Sequence, residues 1–338
     1  MVPDVPEVLS DAGALVVPRL QQALAALSPE NREVLDYHMG WRDSAGQPVQ
    51  RRGSKSVRPG LALLSAAAVG GSAEDAMPGA VAVECLHNFA FLHDDVADRD
   101  RYRRQRQTAW VAFGQGRALN AGTAMLVLGH RTLIEAPSPH REQALRLLVD
   151  TCGTMLTGQG LDLAFEHRLD VTVEESMAMT RGKTATLLSC ATAIGAVLCT
   201  GETEVSRTLH DFGQQVGIAF QARDDLLGIW GRPEQTGGRP PGFDLTAGKG
   251  TLPVVVALQA GGPASDELRE LLGGRALDEA GVARAAELVA AAGGRAWTED
   301  LARRCVADAE KMLGELAVPA EVRDGLIAVA RMGLPDDV

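Results

Sequence analysis

VAVECLHNFAFLHDDVAD, residues 81–98, reads as an apolar helix that ends in carboxylates. Its apolar side chains, interrupted by Glu84, His87 and Asn88, show no β-strand alternation and give way to a run of carboxylates at the C-terminal end. On a helix, Asp94 and Asp98 stand one turn apart on the same face, and Asp95 lies about 100° round from Asp94. Three like charges this close repel one another and invite a cation. Oxygen-only ligands suit magnesium, which keeps waters and bridges carboxylates to substrate phosphates.

The same three- and four-residue spacing extends outward, in Val16, Leu20, Leu24 and Leu27 and again in Leu145, Leu148 and Val149, with alanine filling many other positions. Alternating runs bounded by tight turns are scarce, so the expected fold is all-α. At roughly 25 residues per helix and connection, the 338 residues make about a dozen helices. Residues 42–54, 231–250 and 259–266 are rich in Gly, Pro and polar residues and read as loops within one domain, 1–338, because helical pattern resumes after each. The second is long enough to mark a lid or binding loop. Thr184 to Gly201 carries no charge, but its threonines, serine and glycine, and the lack of flanking Trp or Tyr, favour a buried helix over a membrane span.

A net charge of −11 argues against general nucleic-acid binding, which needs clustered cations, while leaving room for a small phosphate ligand in a local basic pocket. The five cysteines include no C-x-x-C pair, and the N-terminal residues lack a basic-then-apolar signal pattern. A cytoplasmic protein is expected.

A second carboxylate pair, Asp224-Asp225, closes another apolar helical run about 130 positions later. Cations suited to an anionic ligand occur in short settings of their own: Lys55 and Arg58, Arg103 and Arg104, Lys183, Arg239 and Lys249. His87 precedes Asp94 by two helical turns and faces the same way. Two acidic helix ends with this set of cations suit a diphosphate held through magnesium.

These elements resemble, in order, those of the trans-isoprenyl diphosphate synthases, the polyprenyl synthetase family. The first aspartate-rich motif matches Asp94, Asp95 and Asp98, followed by Arg103 and Arg104. Gly53-Ser-Lys55-Ser-Val-Arg58-Pro59 matches a Gly-Lys-x-x-Arg-Pro element with one residue inserted, and Glu84-x-x-His87, Gln159-Gly-Leu-Asp162-Leu and Lys183-Thr184-Ala185 match three more. The second motif matches Phe220-Gln221-x-x-Asp224-Asp225, and Gly242-Phe-Asp244-Leu-Thr-Ala-Gly248-Lys249-Gly-Thr-Leu-Pro253 completes the set over about residues 53–258. Two positions depart: Gly228 stands where the second motif has a third aspartate, and Arg239 where the family has lysine.

The resemblance implies a helical bundle around a central prenyl-chain cavity and head-to-tail condensation of isopentenyl diphosphate with an allylic diphosphate. Asp94, Asp95, Asp98, Asp224 and Asp225 would hold two to three magnesium ions on the allylic diphosphate, helped by Arg103, Lys183 and Lys249, with Arg239 a further substrate-binding residue. Lys55, Arg58, His87 and Arg104 would hold isopentenyl diphosphate. Thr184 and Gln221 would direct partial negative charge at the carbocation. Phe89 and Ala90, about one turn before Asp94, would set chain length, with geranylgeranyl diphosphate expected and farnesyl diphosphate second. A homodimer is implied. A non-catalytic subunit, prompted by Gly228, is the alternative; a class I terpene cyclase or a His-Asp phosphohydrolase accounts for fewer of the residues.

Overall fold

A computed structural model of the chain describes residues 5–49, 56–103, 106–166, 168–236, 238–274 and 276–335. In chain order the helices are α1 (Val5–Leu24), α2 (Pro29–His38), α3 (Val57–Ala68), α4 (Ala73–Ala97), α5 (Ala109–Phe113), α6 (Gln115–Ile134), α7 (Arg141–Phe165), α8 (Val173–Thr180), α9 (Thr186–Thr200), α10 (Glu204–Trp230), α11 (Phe243–Thr246), α12 (Leu252–Gln259), α13 (Pro263–Leu272), α14 (Glu279–Ala291), α15 (Gly294–Glu315) and α16 (Ala320–Arg331). A π-helical turn, Arg181–Ala185, leads into α9, and β1 (Tyr102–Arg103) pairs antiparallel with β2 (Arg106–Gln107). The all-α expectation is met. The helices exceed a dozen because short ones interrupt the loops, among them α11, four residues inside the 231–250 stretch.

Two compact units divide the chain. The first comprises Met1–Cys152, Cys190–His210 and Leu316–Ala328, and is organised on α4, which packs against α3 and α6. Ser72 and Asp75 form a reciprocal capping box that satisfies two of the first orphan amides of α4. Alanines at 76, 80 and 82 keep its surface low, and Gly122 and Gly129 of α6 let the two helices approach. A Cβ on Gly129 would meet the Ala82 carbonyl oxygen at 3.1 Å. Leu86 and Leu92 of α4 and Met125 and Leu133 of α6 are buried between neighbours, each contributing about 1.5–3 kcal/mol of hydrophobic stabilisation. Beyond the C-cap Asp98, Arg99 turns the chain in the left-handed region at φ 55°, a conformation that costs a non-glycine residue about 1 kcal/mol.

The second unit comprises Gly153–Ser189, Asp211–Glu315 and Val329–Val338. Its core gathers Ile229, Leu245, Val254, Leu258, Leu268, Leu288 and Val289 around α12, which packs on α8, α13, α14 and α15. The apolar run noted in the sequence lies within Val173–Thr200, whose most apolar window is 83% buried, as expected of a core helix. Gly195, in the part of α9 that belongs to the first unit, explains part of that burial: a Cβ there would lie 2.0 Å from the carbonyl oxygen of Ala62 in the same unit, so the two backbones touch.

Candidate active site

Asp94 and Asp95 occupy the last turn of α4 and Asp98 is its C-cap, with no basic residue in that turn. Carboxylates here add to the negative end of the helix dipole, which disfavours them by several tenths of a kcal/mol each, about 0.3–1. Asp95 is buried and accepts a hydrogen bond of 2.5 Å from Arg103 Nε, while Arg103 Nη2 donates to Asp100 at 3.2 Å. Burial pushes the Asp95 carboxyl above its usual range, and the Arg103 charge opposes that rise. The guanidinium also lies 4.8 Å from the centre of the Phe91 ring. The strand that carries Arg103 is held by the Asp100 carbonyl, which accepts from Thr108 Oγ1 at 2.7 Å and Trp110 Nε1 at 2.8 Å.

Two turns before Asp94, His87 is buried on α4 against the Phe91 ring at 4.1 Å, and Arg58 Nη1 lies 3.1 Å from its Nε2. With the arginine donating, the imidazole is neutral and carries its proton on Nδ1. The structure therefore joins two of the residues expected to bind isopentenyl diphosphate. Lys55 and Arg104, the other two, lie outside the described residues. Ser56, the N-cap of α3 two residues before Arg58, is left-handed at φ 43°. It and Arg99 are the described non-glycine residues with positive φ, and each adjoins expected site residues, where backbone strain commonly concentrates.

Phe89 is buried and its ring lies 4.5 Å from that of His93, whose imidazole burial holds below its usual pKa. Ala90 is half-buried. A cavity of about 600 Å³ opens at the other end of α4, beside Glu74, Met77, Pro78 and Val81. Met77 is about 25 Å along the helix axis from Asp94, so this opening is separate from the acidic end, and the chemistry is assigned to the latter.

In the second unit, α10 presents Asp224 to solvent and turns Asp225 inward. Thr184 Oγ1 donates to Gln221 Oε1 at 2.7 Å, Gln221 Nε2 donates to Asp225 Oδ1 at 2.6 Å, and the Leu252 amide donates to Asp225 Oδ2 at 2.9 Å. Burial pushes the Asp225 carboxyl up to about 7, against the lowering effect of the Leu252 and Gln221 bonds. The sequence named Thr184, Gln221 and Asp225 separately; the structure makes them one chain of hydrogen bonds. Lys183, on the π-helical turn, forms an ion pair with Asp162 of α7. Arg239 lies over the Phe243 ring at 4.4 Å, and Lys249 is exposed beyond α11. Asp162, Asp244 and the Leu252 amide are participants to which the sequence reading gave no role. Gln159 is another: its buried amide has no hydrogen-bond partner among the described residues.

Residues 40–289 match the sequence model of the polyprenyl synthetase family. The chain belongs to that family. As a polyprenyl synthetase it is a prenyltransferase. It is 41% identical over 333 residues to a (2E,6E)-farnesyl diphosphate synthase of Mycobacterium bovis, covering 97% of this chain and 88% of that one. It is 37% identical over 322 residues to a geranylgeranyl diphosphate synthase of Mycobacterium tuberculosis, covering 93% and 89%. Its fold superposes on the crystal structure of a polyprenyl synthetase from Streptomyces coelicolor A3(2) with a TM-score of 0.93, at 41% identity over 98% of this chain and 100% of that one.

Proposed function

We propose that this polyprenyl synthetase condenses isopentenyl diphosphate with an allylic diphosphate, releasing diphosphate, and stops at a short chain with geranylgeranyl diphosphate as the main product. The observation that carries the reading is the pair of Arg58 on α3 and His87 on α4, 3.1 Å apart, with His87 two turns before Asp94 on its helix. It sets an anion-binding cation beside a carboxylate-rich helix end, the combination that two diphosphate substrates require.

The donor chemistry fits magnesium. Every expected ligand is a carboxylate oxygen. That suits an ion that takes one or two carboxylates and completes its shell with water and substrate phosphate. Asp94, Asp98 and Asp224, which reach solvent, and Asp95 and Asp225, which are buried, would hold it. Magnesium, when bound, neutralises the charge that develops on the departing diphosphate. Lys183, Arg103, Arg239 and Lys249 add cationic contacts to the allylic diphosphate, and Lys55, Arg58, His87 and Arg104 hold isopentenyl diphosphate. The Thr184 and Gln221 oxygens face the carbocation with preset partial charge. Its proton goes to the departing diphosphate.

Phe89 with the smaller Ala90 beside it sets a floor deep enough for twenty carbons. Farnesyl diphosphate is the competing product, favoured by the 41% identity to a farnesyl diphosphate synthase. A non-catalytic subunit is not favoured, since both acidic pairs are retained and the relatives are named as synthases.

Both units act as one domain and the protein works as a cytoplasmic homodimer. Support for the dimer comes from α7, where Val149, Gly153, Leu156, Gly160 and Leu163 are all exposed at alternating four- and three-residue spacing. That is the spacing of a helix seam seeking a partner. The test is incubation of the purified protein with magnesium, isopentenyl diphosphate and dimethylallyl, geranyl or farnesyl diphosphate, with products read by mass spectrometry. A twenty-carbon product that disappears on chelation is expected; no elongation of any primer would overturn the proposal.

A further inference from the structure

The last two residues of α2, Tyr37 and His38, precede the stretch that matches the family, yet both reach toward the site. His38 Nε2 lies 3.0 Å from Oδ1 of Asn88, the residue after His87 on α4, and Asn88 Nδ2 donates to the Glu84 carbonyl at 2.8 Å. That fixes the end of α2 on α4. Tyr37 is buried beside it, with its ring 5.2 Å from that of Phe113 in α5.

From this anchored position Tyr37 grips β2 at two points. Its hydroxyl donates to the Gln107 carbonyl at 2.8 Å, and the Arg106 guanidinium lies 4.4 Å from the centre of its ring. Arg106 Nη2 also donates to the Arg42 carbonyl at 3.2 Å. In the ladder Arg106 stands opposite Arg103, and Gln107 opposite Tyr102. Strands of two residues each cannot hold themselves, since even a longer two-stranded ribbon is marginal in water. On the β1 side the support is the bond from Arg103 to Asp95. A diphosphate that draws on Arg103 weakens that bond, and the grip on β2 is what remains. A buried tyrosine needs one acceptor for its hydroxyl; this one also stacks a cation, and both partners come from the strand paired with Arg103. All of these residues belong to the first unit.

We propose that Tyr37 is a positioning residue for Arg103: it holds β2, and through the ladder β1, so that the guanidinium meets a diphosphate at a preset place. The end of α2, which carries no motif, is thereby part of the site. The inference rests on the diphosphate reading above.

The test is calorimetric titration of the full-length protein with inorganic diphosphate in excess magnesium, so that no turnover is needed. Tyr37→Phe keeps the ring and removes only the donor, and should weaken diphosphate binding about fivefold. Arg106→Met removes the stacked cation from the other side and should act in the same direction. In an Arg103→Ala background Tyr37→Phe should cause no further loss, because the group it positions is gone, whereas a merely structural role would cost the same in both backgrounds. Circular dichroism and thermal unfolding report folding, and Arg106→Met carries the test if the tyrosine variant fails to fold. Wild-type affinity in Tyr37→Phe and Arg106→Met, or an equal loss in the two backgrounds, overturns the proposal. Arg103→Ala separates the two levels: its loss of affinity alongside an unaffected Tyr37→Phe sinks this proposal alone. Wild-type affinity in Arg103→Ala, or absence of magnesium-dependent diphosphate binding in the wild type, sinks both.

Discussion

Replacing Gly158 by alanine puts a Cβ 2.2 Å from the Lys183 amide nitrogen, 2.6 Å from the Gly182 carbonyl carbon and 2.8 Å from the Lys183 Cα. Ordinary contacts begin at 3.4 Å, and the atoms met are all backbone, so no rotamer change relieves the overlap. The π-helical turn and α7 must separate by about 1 Å, an overpacking that costs about 1–3 kcal/mol. Lys183 and Thr184 ride on that turn, and Asp162 stands one turn along α7 from Gly158. A shift of that size in positioned groups costs on the order of 100-fold in rate. Gly158→Ala should therefore lower kcat/KM by about two orders of magnitude and shift the urea midpoint downward. Gly314 is the control: it is exposed in α15 with nothing near its Cβ, and Gly314→Ala should be neutral or stabilising by up to about 1 kcal/mol. Steady-state condensation assays and urea unfolding on both variants decide the matter. A Gly158→Ala enzyme with unchanged midpoint and kcat/KM would refute the close approach of α7 to the turn.

Three further outcomes are expected. Phe89→Ala should lengthen the product by one or more five-carbon units, read by mass spectrometry; an unchanged product would show that Phe89 only packs the core. If the chains pair through α7 as proposed, the wild type should run as a dimer and Leu156→Glu as a monomer in light-scattering chromatography; a Leu156→Glu dimer would move the interface off α7. The third concerns pH and is measured with a chelator present. Below 3.8 Asp225 is protonated in both folded and unfolded chains; between 3.8 and about 7 only the unfolded chain ionises, so its contribution to stability falls as pH rises and is gone above about 7. Relative to wild type, Asp225→Asn should gain up to about 4 kcal/mol across that window, and a pH-independent difference would contradict the buried state of this carboxyl.

Much of this was legible in the sequence because it is local. Helical periodicity gave the all-α class, and the acidic ends of α4 and α10 follow from residues a few positions apart. Arg58 and His87 were placed together by resemblance, and only packing of α3 on α4 brings them to 3.1 Å. The depth of a side chain is harder to read: Asp224 and Asp225 are adjacent and identical, yet one faces solvent and the other caps the amide of Leu252. The pattern also marked residues 231–250 as a loop, because glycine and proline mask a helix as short as α11. That short helix carries Asp244 to Gly228, a relation between 16 positions that no spacing rule contains.

The acidic pole of α4 joins three carboxylates, the negative end of a helix dipole and a left-handed Arg99 in one place. Arg103 answers the charge of Asp95, and a magnesium–diphosphate bound as proposed would answer charge that remains. By mass action, ligand at a hundred times its dissociation constant stabilises the folded chain by about 2.7 kcal/mol. If the ligand is the proposed one, its supply would set the fraction of molecules that open, and the midpoint of unfolding should rise with ligand concentration.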